Sequence, residues 1–360
     1  MKKIIVIIGT RPNFIKVTQF KKVAKQYPDI EIKIAHTGQH YDYKMSQVFF
    51  EQFGLQPDYF LEIGAGSPNT QMAEIMLRLE KLITEEFKPD LMIVPGDVNS
   101  TLAAALTANK TDIKLAHLES GLRSFDRAMP EEINRILTDE ISDYYFITEK
   151  SGTKHLTAEK KQGKQYFVGN TMIDTMVAFE DSIDKAKISS KYNLKENDFV
   201  LVTIHRPSNV DTKEKLILIL ELLEHLNKIR TAVFPVHPRT LQRFKDFGLE
   251  ERLSDLKNII QTAPLSYFDF QQLIKNCKFV LTDSGGIQEE TTFRQKPCLT
   301  LRNNTERPIT VDLGTNIMIT FAQAKSEIGK IEAGTFKKGE IPPLWDGKAT
   351  ERIMEIISKL

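Results

Sequence analysis

Short, unbroken runs of β-branched residues and leucine recur along this chain in two sets, and they constrain its fold more than any other feature. The first set is KIIVII (3–8), EIKIAH (31–36), LMIVP (91–95), IKLAHL (113–118), YYFIT (144–148) and YFVGN (166–170). The second is FVLVTIH (199–205), TAVFPVH (231–237), NIIQT (258–262), KFVLTD (278–283), PCLTLR (297–302) and NIMIT (316–320). Longer amphipathic stretches separate them. An alternating strand has one wet face, whereas an unbroken apolar strand is buried on both, as in a parallel sheet covered by helices. The expected fold class is α/β, twice over. A chain of 360 residues has room for two cores at about 150 residues per domain.

The stretch VAFEDSIDKAKISSKYNLKENDF (177–199) is charged and carries no strand of its own. It sets the expected boundary near 172–175, with one Rossmann-like domain over 1–172 and a second over 173–347. The terminal ATERIMEIISKL places Ile353, Ile356, Ile357 and Leu360 on one face of a helix, which reads as a packing helix.

Composition excludes several function classes. A formal net charge of +1, with acids and bases interspersed, gives no basic field for nucleic acid or an anionic membrane. No apolar run approaches the ~20 residues of a membrane span. The two cysteines, Cys277 and Cys298, lie in or beside apolar runs and form no C-x-x-C pair, so they read as buried thiols in a reducing, cytoplasmic setting. The N-terminal apolar stretch is too short for a signal sequence and runs into Gly-Thr-Arg-Pro. The histidines are scattered, with no metal-ligand spacing, so no metal is expected.

In open α/β sheets, ligands bind beyond the carboxyl ends of the strands. Here those ends read GTRPNFIK, HTGQH, PGDVNST, HLESGLRS, GNT, HRPSN, HPRT, DSGG and RNNTERP. So many polar turns in both halves predict that the two sheets face one central cleft. In TDSGGIQEETTF (282–293), Ser284 stands at a helix N-cap, and Gly285 and Gly286 let an anion approach backbone N–H groups at the positive end of the helix dipole. Glu290 follows Gly286 by four residues, on the same face and about 6 Å along the axis, where it can accept hydrogen bonds from a ribose diol. Glu289 is expected to be a solvated or dipole-complementing neighbour. GTRPNFIK fits neither the dinucleotide fingerprint nor a P-loop. Its Arg11 and Lys16 offer charge for a diphosphate, although Lys16 equally suits a solvated helix face. Asp97 and Glu119 close neighbouring strands, and Glu131 begins a helix after Pro130. They are acid/base candidates, with turn, cap or Glu131–Arg135 pairing as the structural alternatives. His205 follows the first strand of the second half, where a cation would meet a phosphate.

In this order, GTRPNFIK, HTGQHYD, GDVNSTLA, HLESGLRSFDRAMPEEINR, VGNTMID, HRPSNVD, HPRT, LTDSGGIQEE and NTERPITVDLGTN resemble the non-hydrolysing UDP-N-acetylglucosamine 2-epimerases, from residue 3 to the final helix. The resemblance implies a GT-B-like pair of domains, with the nucleotide held mainly by the C-terminal one and the helix at about 348–360 packing back on the N-terminal one. It implies anti elimination of UDP to a 2-acetamidoglucal and re-addition with C2 inverted, with no redox cofactor and in a homodimer. It suggests Asp97, Glu119 and Glu131 as the carboxylates that move protons and stabilise charge. It further suggests Arg11, His205, Ser284, Gly285 and Gly286 for the diphosphate, Glu290 for the ribose, and Lys16 and Arg307 as further cleft cations. Two departures stand out. Ser208 replaces the glutamate of the family's H-R-x-E-N turn. Gln39 and His40 also lack the arginine that follows in members activated by a second UDP-GlcNAc. A relative acting on a UDP-diacetamido-uronic acid and a non-catalytic nucleotide-sugar binding protein remain as alternatives.

Overall fold

A computed structural model describes residues 1–38 and 50–360. Within them the chain separates into two units, Met1–Ala178 with Pro343–Leu360, and Phe179–Pro342. Gln39 and His40 lie outside the described residues.

In the first unit the described strands are β1 (Lys2–Ile8), β2 (Ile30–His36), β3 (Tyr59–Phe60), β4 (Leu91–Pro95), β5 (Lys114–Leu118), β6 (Tyr144–Ile147) and β7 (Lys164–Phe167). They form one parallel sheet in the order β3-β2-β1-β4-β5-β6-β7. Ile4 to Ile8 are all essentially sealed from water, as two-sided burial demands. On one face, Ile75, Leu79, Leu82 and Ile83 of the helix Pro68–Glu85 share a core with Ile5, Ile7, Met92 and Val94. The helix Asn99–Lys110 joins it through Ala103, Ala104, Ala105 and Ala108, small residues that allow close approach to the strands. β3 is not legible in the sequence, because two residues show no period.

The helix Ala349–Lys359 packs on this unit. Its Ile353, Met354 and Ile357 are buried, and Asp174 accepts the Ala349 N–H (3.0 Å) and the Thr350 N–H (2.5 Å) at its N-terminus. Trp345, just before it, is buried and donates its indole N–H to the Thr148 carbonyl at 3.1 Å.

In the second unit, β8 (Phe199–Thr203), β9 (Thr231–Pro235), β10 (Ile259–Thr262), β11 (Phe279–Thr282), β12 (Cys298–Thr300) and β13 (Asn316–Met318) form a parallel sheet in the order β10-β9-β8-β11-β12-β13. Val200, Val202, Leu281 and Leu299 share a core with Leu216, Leu220 and Leu223 of the helix Lys213–Ile229. Both cysteines are buried, as their setting predicts, and burial pushes the Cys277 thiol up to about 12 and the Cys298 thiol to about 11.

Strand order reverses at β1/β4 in the first sheet and at β8/β11 in the second. Such switch points open a crevice at the carboxyl ends of the strands. Register then decides which turns meet. Pro95 pairs with Leu118, so Gly96–Asp97 and Glu119–Ser120 emerge side by side; Thr203 pairs with Thr282, so Ile204–His205 and Asp283–Ser284 do the same.

Candidate active site

In the first unit, the turn after β1 leads into the short helix Arg11–Ile15, whose Asn13 donates to the Pro95 carbonyl at 3.0 Å and ties this turn to the end of β4. Lys16 is not on a solvated face. It is 6% exposed, and its ammonium lies 2.6 Å from Glu119 Oε2. Gly96, at φ +69, lets this pair reach the turn, since a Cβ there would stand 3.0 Å from Lys16 Nζ. Glu119 itself sits at φ +71, a left-handed conformation that costs a non-glycine residue on the order of 1 kcal/mol and is found preferentially at functional sites. Burial lowers the Arg11 guanidinium below its ordinary value.

Asp97 is held by the Arg135 guanidinium, which also pairs with Glu132. Glu132, in the first turn of the helix Pro130–Ile141, is a structural carboxylate, accepting from the Ser124 N–H (2.9 Å), the Phe125 N–H (2.9 Å) and the Ser124 hydroxyl (2.8 Å). Glu131, its half-buried neighbour, lines a cavity of about 370 Å³ with Thr10, Gln71, Asn99 and Asn134. Beneath the turn, His117 bridges Asp139 Oδ1 (2.6 Å) and the Gly96 carbonyl (2.8 Å), while Asp139 also takes Arg123 (2.6 Å) and the Gly121 N–H (3.1 Å). Burial pushes the Asp139 carboxyl up, but His117 and Arg123 outweigh it and hold it below the usual range. The turn bearing Asp97 therefore rests on a fixed, buried charge network.

In the second unit, Ser284 occupies the N-cap position of the helix Gly285–Phe293 without using its hydroxyl as the cap. A Cβ on Gly285 would stand 2.6 Å from Glu306 Oε1 and 3.1 Å from Arg307 Nη1, so a side chain there would have to displace that ion pair. Arg307 is paired with Glu306 and, through Nε, with Glu289 at 2.7 Å. Glu289 is therefore not solvated: it is 1% exposed and serves as a buried counter-ion. The sequence conceals this because its partner lies 18 positions away on a separate turn. Asp283, whose role the sequence does not reveal, is also fully buried, and its carboxylate accepts the N–H groups of His205 and Arg206 and the Asn209 amide. The register of β8 against β11 is the signal that would have found it.

Glu290 is buried, and burial, reinforced by the charge of Glu289, pushes its carboxyl up to about 8. The folded chain thus keeps a proton that an unfolded glutamate, at its ordinary 4.5, releases. Stability from this group is full below about pH 4.5 and is lost as pH rises through about 8. Glu290→Gln, always neutral, should flatten that fall. Melting temperatures of both proteins from pH 5 to pH 9 check it: equal slopes would mean that Glu290 stays ionised in the fold.

In the first unit the carboxyl ends of β1, β4 and β5 thus carry Arg11, Lys16, Asp97 and Glu119, with Glu131 on the cavity beside them. In the second unit the carboxyl ends of β8 and β11 carry His205, Ser284, Gly285 and Gly286, with Arg307 against Gly285 and Glu290 one helical turn further on. The family model described as UDP-N-acetylglucosamine 2-epimerase matches residues 22–358. The chain belongs to the UDP-N-acetylglucosamine 2-epimerase family. The enzymes of this family are isomerases. The UDP-N-acetylglucosamine 2-epimerase of Methanocaldococcus jannaschii is 40% identical over 364 residues, covering 99% of each chain. The UDP-2,3-diacetamido-2,3-dideoxy-D-glucuronate 2-epimerase of Pseudomonas aeruginosa is 37% identical over 372 residues, covering 99% of this chain and 100% of its own. The crystal structure of the M. jannaschii enzyme in complex with UDP-GlcNAc and UDP matches at a TM-score of 0.89, covering 99% of this chain and 100% of that one. Two helix-covered parallel sheets are the architecture this chain shares with its GT-B-like relatives.

Proposed function

We propose that this chain interconverts UDP-N-acetylglucosamine and UDP-N-acetylmannosamine. A carboxylate takes the C2 proton while the C1–O bond breaks and UDP leaves with the bonding pair, giving a 2-acetamidoglucal. UDP then re-adds at C1 as C2 is protonated on the opposite face. C2–H has no adjacent carbonyl to acidify it, so C1–O cleavage must run ahead or in step, and the resulting oxocarbenium character needs negative charge nearby. Asp97, Glu119 and Glu131 supply that charge and the acid/base groups. His205, Arg11 and the backbone of Ser284, Gly285 and Gly286 hold the departing diphosphate, Glu290 the ribose, and Lys16 sets Glu119. Arg307, engaged by Glu289 and Glu306, forms the wall behind Gly285.

The observation that carries this reading is the pairing of the β4 and β5 ends. The Gly96 N–H donates to the Leu118 carbonyl at 3.0 Å, which brings Asp97 and a strained Glu119 out on adjacent strands, each paired with a buried cation. Incubation with UDP-GlcNAc in D2O, with nothing else added, should give UDP-ManNAc deuterated at C2. Free ManNAc as the main product would assign the chain to hydrolysing enzymes, and unexchanged substrate would reject the proposal. The 37% identity to the P. aeruginosa enzyme favours, as a second reading, 2-epimerisation of a diacetamido uronic acid sugar, and the same assay on that sugar decides between them.

A further inference from the structure

Asp283 receives more hydrogen bonds than its place in the chain requires. It follows β11 directly, is fully buried, and stands between two of the residues assigned above, bonded to Ser284 along the chain and in contact with His205 across the sheet. Its carboxylate accepts the His205 N–H on both oxygens (3.1 and 3.0 Å), the Arg206 N–H (2.8 Å) and Asn209 Nδ2 (3.0 Å), and His205 Nδ1 lies 3.1 Å from Oδ1. The neighbouring hydroxyls of Thr203 and Thr282 meet at 2.7 Å, and Thr282 Oγ1 accepts the Ser284 N–H at 3.0 Å. One carboxylate therefore joins the His205 turn to the strand end from which the Ser284–Gly286 turn departs.

The imidazole of His205 is fixed on two sides. Its edge faces Asp283, and its face stacks on His237, with ring centroids 5.4 Å apart and a tilt of 31°. A carboxylate only accepts, so a proton on Nδ1 is the arrangement that suits this 3.1 Å contact, and it leaves Nε2 to face a ligand. The two histidines do not compete for charge. His237 Nδ1 accepts the Arg239 N–H at 3.2 Å, and burial, then His205 and Arg239, hold His237 below the ordinary histidine value. Burial pushes the Asp283 carboxyl up, but the hydrogen bond and charge of His205, with the Arg206 N–H and Asn209, outweigh it and hold Asp283 ionised. Among the described residues, Asp283 and His237 are the titratable groups that face the His205 ring, with Arg239 beside His237.

We propose that Asp283 is a positioning residue that orients the His205 ring and engages its Nδ1–H, so that Nε2 is turned outward to donate to the diphosphate of a nucleotide sugar. This rests on the nucleotide-sugar reading above. The role resembles that of a buried aspartate behind a catalytic histidine, where the amide variant keeps the shape and installs the wrong tautomer.

Asp283→Asn should bind UDP about tenfold more weakly than the wild type at pH 7.5, and recover most of that loss at pH 5.5, where an unsupported imidazole protonates on its own. His205→Gln should show no such recovery, and the double variant should bind no more weakly than His205→Gln alone. A purely structural role for Asp283 would give an equal loss at both pH values and additive losses in the double variant, and either result overturns the proposal. Should Asp283→Asn fail to fold, the wild type decides by nitrogen-15 NMR of labelled histidine, with the His205 signal identified by its loss in His205→Gln. A protonated Nδ1 is expected, and a bare Nδ1 rejects the proposal. If the wild type does not bind UDP, the nucleotide-sugar reading fails, whereas the tautomer still reports on the contact between Asp283 and His205.

Discussion

Replacing Asp97 with asparagine should lower C2 deuterium exchange by about 10²–10⁴-fold, the usual range for a lost acid/base group, while leaving UDP affinity nearly unchanged. The local structure makes this a clean test. Asp97 is 27% exposed on its side chain, and its partner Arg135 keeps Glu132 as a second, buried carboxylate. Removing one charge leaves no isolated cation, so the stability cost should be about 1 kcal/mol or less, as for other partly exposed pairs. Exchange by mass spectrometry and UDP affinity by calorimetry separate the outcomes. Loss of UDP binding with the exchange would make Asp97 a structural residue of the β4 turn.

Much of this architecture is legible because burial on both faces leaves a mark in the sequence. KIIVII, LMIVP and FVLVT cannot tolerate a polar face, so they appear as unbroken apolar runs, and the turns after them stand out by contrast. Tyr59–Phe60 escaped because a two-residue edge strand has no such mark. In the candidate site the logic differs. Ser284–Gly286 and Gly96–Asp97 could be picked out by residue type alone, since few other residues suit those turns. What holds them could not. Lys16 finds Glu119 across 103 positions, Arg135 finds Asp97 across 38, and Asp283 meets His205 across 78. Each pairing depends on strand order and register, which the turn sequences do not contain. Glu289 shows the cost of reading locally: next to Glu290 at a helix start it looks solvated, yet Arg307 draws it inside.

The Lys16–Glu119 pair should give the largest loss of stability from a single change. Both side chains are nearly sealed, at 6% and 3% exposure, and their charged atoms are 2.6 Å apart. Lys16→Met removes the ammonium and leaves a buried carboxylate without its nearest cation, a change that typically costs about 3–5 kcal/mol. Glu119→Gln alone strands the ammonium instead and should cost a comparable amount. The double variant, with neither charge, should recover most of the lost stability, because a buried ion pair contributes little over neutral groups of similar volume. Activity should follow a different pattern. If Glu119 provides negative charge to the reacting sugar, the double variant stays as inactive in C2 exchange as Glu119→Gln while melting close to the wild type. Thermal denaturation and deuterium exchange on the four proteins supply the double-mutant cycle that divides the two roles. Recovery of exchange together with stability would reduce the pair to a scaffold for the Gly96 turn and leave the chemistry to Asp97 and Glu131.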